Sequence, residues 1–337
     1  MSITAKELAR ILKLSESAVS LALNNKPGVS TATRHRVIES AKEHGYDFSR
    51  LSPAESASAL GTIQFVIFKR NGAVVTDTPF FSQISEGVSA ACKEERYYMN
   101  IQYLYESDDT PSLLDNWKRA GVKGLILLGT EMKKQDMTPF LRNHIPFVLL
   151  DNYFDDLEVN SVLINNRRGA FLAAETLIRT YRTQPGYLKS SYSINNFEER
   201  ADGFFRAIRQ RGMSASRTVI HLLTPSIEGS YADMKQMLAQ REPLARCYFA
   251  DNDLIAAGAI RAMKEAGIRI PEDTAVIGFD DMPFCTVMEP SLSTIRVPKH
   301  YMGKMAVTRL VELIRTPDTE PVKIEINTSL IKRKSQG

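Results

Sequence analysis

Five side chains spaced along one helical face, Glu16, Ser17, Ser20, Leu21 and Asn24, stand opposite Val19 and Leu23 in the stretch 15–24. Glutamate can accept from cytosine N4, serine can bond either partner of a base pair, and leucine can only touch a thymine methyl. A helix carrying them outward could therefore read base edges in a major groove. A second set lies far downstream. Asp151, Asn252 and Asp280 each follow an apolar run (147–150, 247–249 and 276–279), and Arg200 closes the stretch Asn196-Phe197-Glu198-Glu199-Arg200. Ligands of open α/β sheets sit off the carboxyl ends of strands, where such groups can bond to hydroxyls. For any single Asp or Asn after a strand, a helix cap or a turn is the plainer explanation.

The elements that must position these residues are marked by start and stop signals. Thr4 followed by Glu7 makes a capping box, and Ala5, Leu8, Ala9 and Leu12 share one face of a first helix. After a turn at Lys13-Leu14, Ser15 caps a second helix with Val19, Ala22 and Leu23 as its buried stripe, stopped by Asn24-Asn25. Pro27-Gly28 forces a loop, and Ser30 opens a third helix that ends at His44-Gly45. In the polar linker, Ser52-Pro53-Ala54-Glu55 predicts a small helix over 53–60. From Thr62 onward, apolar runs at 62–68, 99–105, 124–128, 146–150, 161–164, 186–189, 218–223, 246–249 and 274–279 alternate with helical stretches. That alternation predicts βαβ units and parallel sheets, in two sets.

A chain of 337 residues with 43% hydrophobic and 24% charged residues is an ordinary globular protein of two or three domains. Its formal charge of +4 is uneven: residues 1–50 carry eight basic and five acidic side chains, a mild surplus compatible with phosphate contact or with a solvated helical surface. Cys92, Cys247 and Cys285 are far apart and odd in number, which leaves neither a disulfide framework nor a metal site and points to a reducing compartment. There is no leader and no apolar run near 18 residues, so a cytoplasmic location without membrane contact is expected. An α/β enzyme finds no support. G-x-S-x-G, the phosphate-binding G-x-x-x-x-G-K-[S/T] and G-x-G-x-x-G after the first strand are all missing, and His221 and His300 are isolated. No catalytic residue, metal or cofactor is expected. A periplasmic solute-binding protein could share the two lobes but would need a leader and no N-terminal helices.

Several stretches together closely resemble one family. They are Thr4–Ala9, Leu14–Ser20, Leu23–Ser30, Thr33–Val37 and Gly45-Tyr46, then Phe249–Ala259, Glu265–Asp273, Val276–Asp281, Pro290–Ile295 and Gly303. The resemblance is to the LacI/GalR family of bacterial repressors and covers nearly the whole chain. It implies a helix-turn-helix headpiece over 1–47, a linker over 48–61, and an effector domain over 62–337. That domain would be a periplasmic-binding-protein-like pair of Rossmann-type lobes, about 62–159 with 292–318 and about 160–291 with 319–333.

The resemblance further implies that Glu16, Ser17 and Leu21 are the main base readers, with Ser15, Ser20, Asn24 and Ser30 closer to the DNA backbone, and Thr4 is also expected to bind DNA. Many relatives carry Arg where this chain has Leu21, so the operator should differ. Ungapped matching puts Glu55 where the family has a minor-groove leucine, so either Leu51 or Leu60 takes that role in a shifted register or wedging is absent. Asp151, Asn196, Arg200, Asn252 and Asp280 match effector-binding positions. Phe80 and Phe81 could supply an aromatic surface for a sugar, or pack in the core. Lys69, Arg70 and Arg200 could instead hold a phosphate or carboxylate, although a solvated surface suits Lys69 and Arg70 better. The partners so implied are a pseudo-palindromic double-stranded operator, a small polar effector of carbohydrate type, and a second copy of the chain. Inducer and co-repressor action both remain open.

Overall fold

A computed structural model describes residues 3–23, 28–44, 46, 59–70, 72–75, 78–317 and 319–337. The chain divides into two compact units, Met1–Leu60 and Gly61–Gly337. In the first, α1 (Ala5–Leu12), α2 (Glu16–Leu23) and α3 (Thr31–Glu43) bury Leu8, Val19, Ala22 and Val37 against one another. So small a core depends on its helix ends. Thr4 accepts from the Glu7 amide while Glu7 accepts from the Thr4 amide at 2.8 Å. Lys13 turns the chain with φ 53°, Ser15 Oγ accepts from the Ala18 amide, and Ser30 Oγ accepts from the Thr33 amide. Each cap contributes about 1 kcal/mol. The residues expected to stop α2, Asn24 and Asn25, and most of the helix expected over 53–60 lie outside the described residues. Ala59 and Leu60, the expected end of that helix, are not helical.

The second unit holds two six-stranded sheets. The first contains β1 (Gly61–Lys69), β2 (Tyr97–Tyr105), β3 (Val122–Leu128), β4 (Phe147–Leu150), β5 (Ser161–Ile164) and β11 (Lys323–Ile326), in the order β11-β5-β4-β3-β1-β2. The second contains β6 (Gly186–Ser190), β7 (Ile220–Leu223), β8 (Cys247–Ala250), β9 (Ala275–Asp280), β10 (Ser293–Arg296) and β12 (Ser329–Ile331), in the order β12-β10-β9-β8-β6-β7. Pairing is parallel except between β10 and β12. Helices α4 (Pro79–Glu94), α5 (Thr110–Arg119), α6 (Thr138–Arg142) and α11 (Lys299–Arg315) accompany the first sheet. Helices α7 (Asn166–Tyr181), α8 (Asn195–Gln210), α9 (Ile227–Ala239) and α10 (Asp253–Glu265) accompany the second.

The strand partners move the lobe boundaries. Strand β5 pairs with β4 and β11, so the first crossover falls between Ile164 and Asn166 rather than at 159/160. Strand β10 pairs with β9 and β12, so 293–296 belongs to the second lobe and the return crossover is at 297–298. The third crossover follows Ile326 in place of 318/319, because β11 extends the first sheet. Strands β10 to β12 were not among the apolar runs. Ser293 and Thr294 are buried but polar, bonded to the Arg333 carbonyl and the Asp253 carboxylate, while β11 and β12 are edge strands.

Helices α4 and α11 meet through Gly87 and Gly303. A Cβ on Gly303 would lie 2.6 Å from both the Ile84 carbonyl oxygen and the Val88 nitrogen, backbone atoms that cannot rotate aside. Gly303→Ala should lower stability by about 1–3 kcal/mol, as overpacking does, read as a lower urea midpoint. An unchanged midpoint would show that the helices can separate freely.

Candidate functional site

Thr4, Ser15, Glu16, Ser17, Ser20 and Ser30 are exposed on the first unit. Asn24 lies outside the described residues. Ser15 and Ser17 hydroxyls lie 3.0 Å apart, and Glu16 is 3.9 Å from Lys6 in an exposed pair worth little. Leu21 is half-buried. Its Cδ1 lies so near Gly28, whose φ is +119°, that a Cβ there would be 3.1 Å away. The side chain thus leans on Gly28. Part of the basic surplus is used internally: Arg34 donates to the Leu21 and Ala22 carbonyls at the end of α2, and Arg36 to the Leu12 carbonyl at the end of α1. Carbonyls at helix C-termini lack intrahelical partners and carry the negative end of the dipole, so guanidinium groups suit them.

In the second unit Phe80, Phe81, Asp151, Asn196, Arg200, Asn252 and Asp280 line one cleft between the lobes, with Thr130 and Met282. The first lobe supplies Phe80 and Phe81 from the start of α4 and Asp151 from the end of β4. The second supplies Asn196 and Arg200 from α8, Asn252 ahead of α10, and Asp280 at the end of β9. Asp151 accepts from Thr130 Oγ1 at 2.6 Å and from Asn196 Nδ2 at 3.0 Å, a direct lobe-to-lobe bond. Asn252 Oδ1 caps α10 through the Ile255 amide, and the side chain also borders the cleft. Phe80 and Phe81 are also core residues, edge to face at 5.0 Å.

Arg200 is buried over the Phe279 ring at 3.8 Å, with Nε on Asn166 Oδ1 at 2.9 Å, one terminal nitrogen on the Asp251 carbonyl and the other 3.3 Å from Asp280. Burial pushes the carboxyls of Asp151 and Asp251 up to about 6. Burial, with Asp280 nearby, pushes Asp253 up to about 7. Burial also raises Asp280, against the pull of Arg200 and Lys299, and depresses Lys299, whose Nζ donates to the Asp280 carbonyl at 2.5 Å. The lining side chains leave about 30 Å³ among them, room for a water. A wider groove of about 510 Å³ runs along the amino ends of β3, β4 and β5. It lies at the end of the sheet opposite to that which binds ligands in such folds.

Three contributors escaped sequence reasoning. Thr130 and Lys299 follow no motif, and Glu131 is buried where its carboxylate accepts from the Arg70, Gly72, Val74 and Val75 amides, shaping the loop that leads to the cleft. Arg70 is not a solvated surface residue. It is largely buried, tied to Glu106 and Asp136, and neither it nor Lys69 lines the cleft. The opposing acids, invisible as a set in the sequence, make burial of its charge tolerable.

The chain matches the model of bacterial regulatory proteins, lacI family, over residues 4–48, and that of a periplasmic binding protein-like domain over 182–336. It is 30% identical to the HTH-type transcriptional regulator GalS of Salmonella typhimurium, covering 90% of this chain and 88% of that one. It is 27% identical to the HTH-type transcriptional repressor PurR of Aliivibrio salmonicida, covering 98% of each. Among solved structures it resembles the transcriptional regulator CelR in complex with cellobiose, with a TM-score of 0.73, 26% identity and 99% of each chain covered.

The Asp253 carboxyl accepts from Thr294 Oγ1, the Met282 amide and Cys285 Sγ, tying the cleft loop 281–285 to α10. The folded form keeps its proton up to about pH 7, whereas 3.8 is the ordinary value. Relative to Asp253→Asn, the protein should therefore lose stability as pH rises from about 4 to 7 and level off above, because the folded state binds the extra proton. Urea unfolding of both proteins across that window reads the gap. A constant gap would mean that the carboxyl is ionised throughout.

Proposed function

Because the chain belongs to the lacI family of bacterial regulatory proteins, we propose that it is a repressor whose cleft binds a small uncharged polyhydroxyl molecule, a sugar or sugar derivative, and that this ligand sets its affinity for operator DNA. The observation that carries the reading is the convergence of Asp151, Asn196, Arg200, Asn252 and Asp280 from both lobes on one cleft, beside the Phe80 and Phe81 rings. Such groups give hydroxyls both donors and acceptors, with an aromatic face for the ring.

Charge favours a neutral ligand. Among the described residues of the lining Arg200 is the one cation, and it is already paired with Asp280, while Asp151 faces it from the other lobe. A phosphate or carboxylate would have to displace one acid and approach another. A neutral hydroxyl can exchange for in-chain partners such as the Asn196–Asp151 bond, at little net electrostatic change.

On the first unit, Glu16, Ser17 and Leu21 are the proposed base readers, with Thr4, Ser15, Ser20, Asn24 and Ser30 toward the phosphates. Two copies would read a palindrome with half-sites about 34–36 Å apart. Edge strands support pairing: β2 exposes Tyr98, Ile101, Tyr103 and Tyr105, and β7 exposes Ile220 and Leu222, apolar surface that a second copy could cover. Among the described residues no helix is long and apolar enough to cross a membrane, and the proposed DNA-binding role would be exercised in the cytoplasm.

Selection of duplex DNA from a random pool at near-physiological salt should recover a palindrome, and Leu21→Arg should change its half-site bases. An unchanged consensus would remove position 21 from the bases, and no consensus with or without a panel of neutral sugars would overturn the DNA reading. Arg200→Ala should abolish the sugar response, a coupling of about 1–3 kcal/mol in this kind of system, while leaving DNA affinity near wild type. Equal loss of both would defeat the separation of roles.

A further inference from the structure

Asn166 is the first residue of α7, two positions past Ile164, where the chain leaves the first sheet for the second. It does not line the cleft. Its amide is nonetheless buried and used at both ends: Oδ1 accepts from Arg200 Nε at 2.9 Å, and Nδ2 donates to Asn196 Oδ1 at 3.0 Å and to Glu199 Oε2 at 3.1 Å. One side chain at the crossover thus orients two residues of the cleft. Glu199, itself buried, carries the path onward, since its Oε1 accepts from the Tyr153 hydroxyl at 2.7 Å and pairs with Arg167 at 2.5 Å. Tyr153 lies just past β4 in the first lobe and is also outside the cleft lining.

We propose that Asn166 and Glu199 are positioning residues through which Tyr153 of the first lobe holds the Arg200 guanidinium of the second. The arginine of the cleft is then set by a contact between the lobes that no ligand makes. The chemistry of each link supports the assignment. Asparagine offers one acceptor and two donors on a short stem, and all three face a partner of matching polarity. Aspartate at 166 would set a carboxylate against Glu199 and the Asn196 oxygen, and an apolar residue would leave Arg200 Nε–H buried without its acceptor. If the lobes part at the crossover, the Tyr153 hydroxyl leaves Glu199, whose Oε1 then has only Arg167, an exposed and easily displaced partner. The relay rests on the cleft reading only in treating Arg200 as a ligand contact, since the hydrogen bonds themselves require no ligand.

The test is side-chain NMR of the full-length ¹⁵N-labelled protein without added ligand. The Arg200 Nε–Hε resonance is identified as the one lost in Arg200→Lys, and its solvent exchange rate is measured. Exchange should quicken at least tenfold in Asn166→Ala. It should quicken several-fold in Tyr153→Phe, which alters no atom touching Arg200 and keeps the ring that lies under Lys323. Wild-type exchange in Tyr153→Phe would overturn the link from the first lobe, and wild-type exchange in Asn166→Ala would overturn the role of Asn166. Where Asn166→Ala does not fold, Asn166→Ser decides the same point: its shorter hydroxyl falls short of Arg200 Nε, so exchange should quicken, and wild-type exchange would overturn the role of Asn166. Failure of the cleft reading looks different: DNA binding would ignore sugars while this exchange pattern stood.

Discussion

Removing a guanidinium from water is costly unless every donor finds an acceptor, and the buried position of Arg200 over Phe279 imposes that condition on its surroundings. Asn166, the Asp251 carbonyl and Asp280 give each of its three nitrogens one acceptor. Each of these is fixed in turn: Asp251 by the Tyr187 hydroxyl and the Ser190 amide, the Asp280 carbonyl by Lys299, Asn166 by Glu199 and Asn196. The carboxyl ends of β6, β8 and β9 and the starts of α7, α8 and α11 are therefore held by one connected set of polar groups. A half-satisfied network of this kind would be worse than an apolar core, which is why so many of its members are buried together.

Much of this was legible in the sequence because it rests on local rules. Thr4 with Glu7, Ser15 and Ser30 are caps whose chemistry acts within three residues, and apolar runs buried on both faces predict parallel strands directly. Asp151, Asn252 and Asp280 were visible as polar residues at strand ends. What escaped was decided by distant partners. Strand β10 reads as polar because Ser293 and Thr294 bond to Arg333 and Asp253. Arg70 seems solvated until Glu106 and Asp136 are brought beside it. The crossovers were displaced because helical stretches do not reveal which sheet the next strand joins.

The two units are stabilised differently. The first has a core of a few small aliphatic side chains, so caps and guanidinium–carbonyl bonds at helix ends contribute a large share of its stability. The second buries broad apolar sheets and can accommodate charged and strained residues, such as Asp151 and Asp280 with φ of 65° and 110°. Strain of this sort persists where the surrounding packing over-determines it, and here it lies at the cleft.

The threefold passage of the chain between the sheets also orders assembly. As the polypeptide emerges from the ribosome, the first unit has all its described helices by residue 43. The first sheet, however, lacks β11 until residue 326, and the second lacks β12 until residue 331. Ser335, which accepts from the Ser293 amide and donates to the Val276 carbonyl, arrives later still. The two sheets thus share one late segment of the chain, residues 323–337, which supplies an edge strand to each.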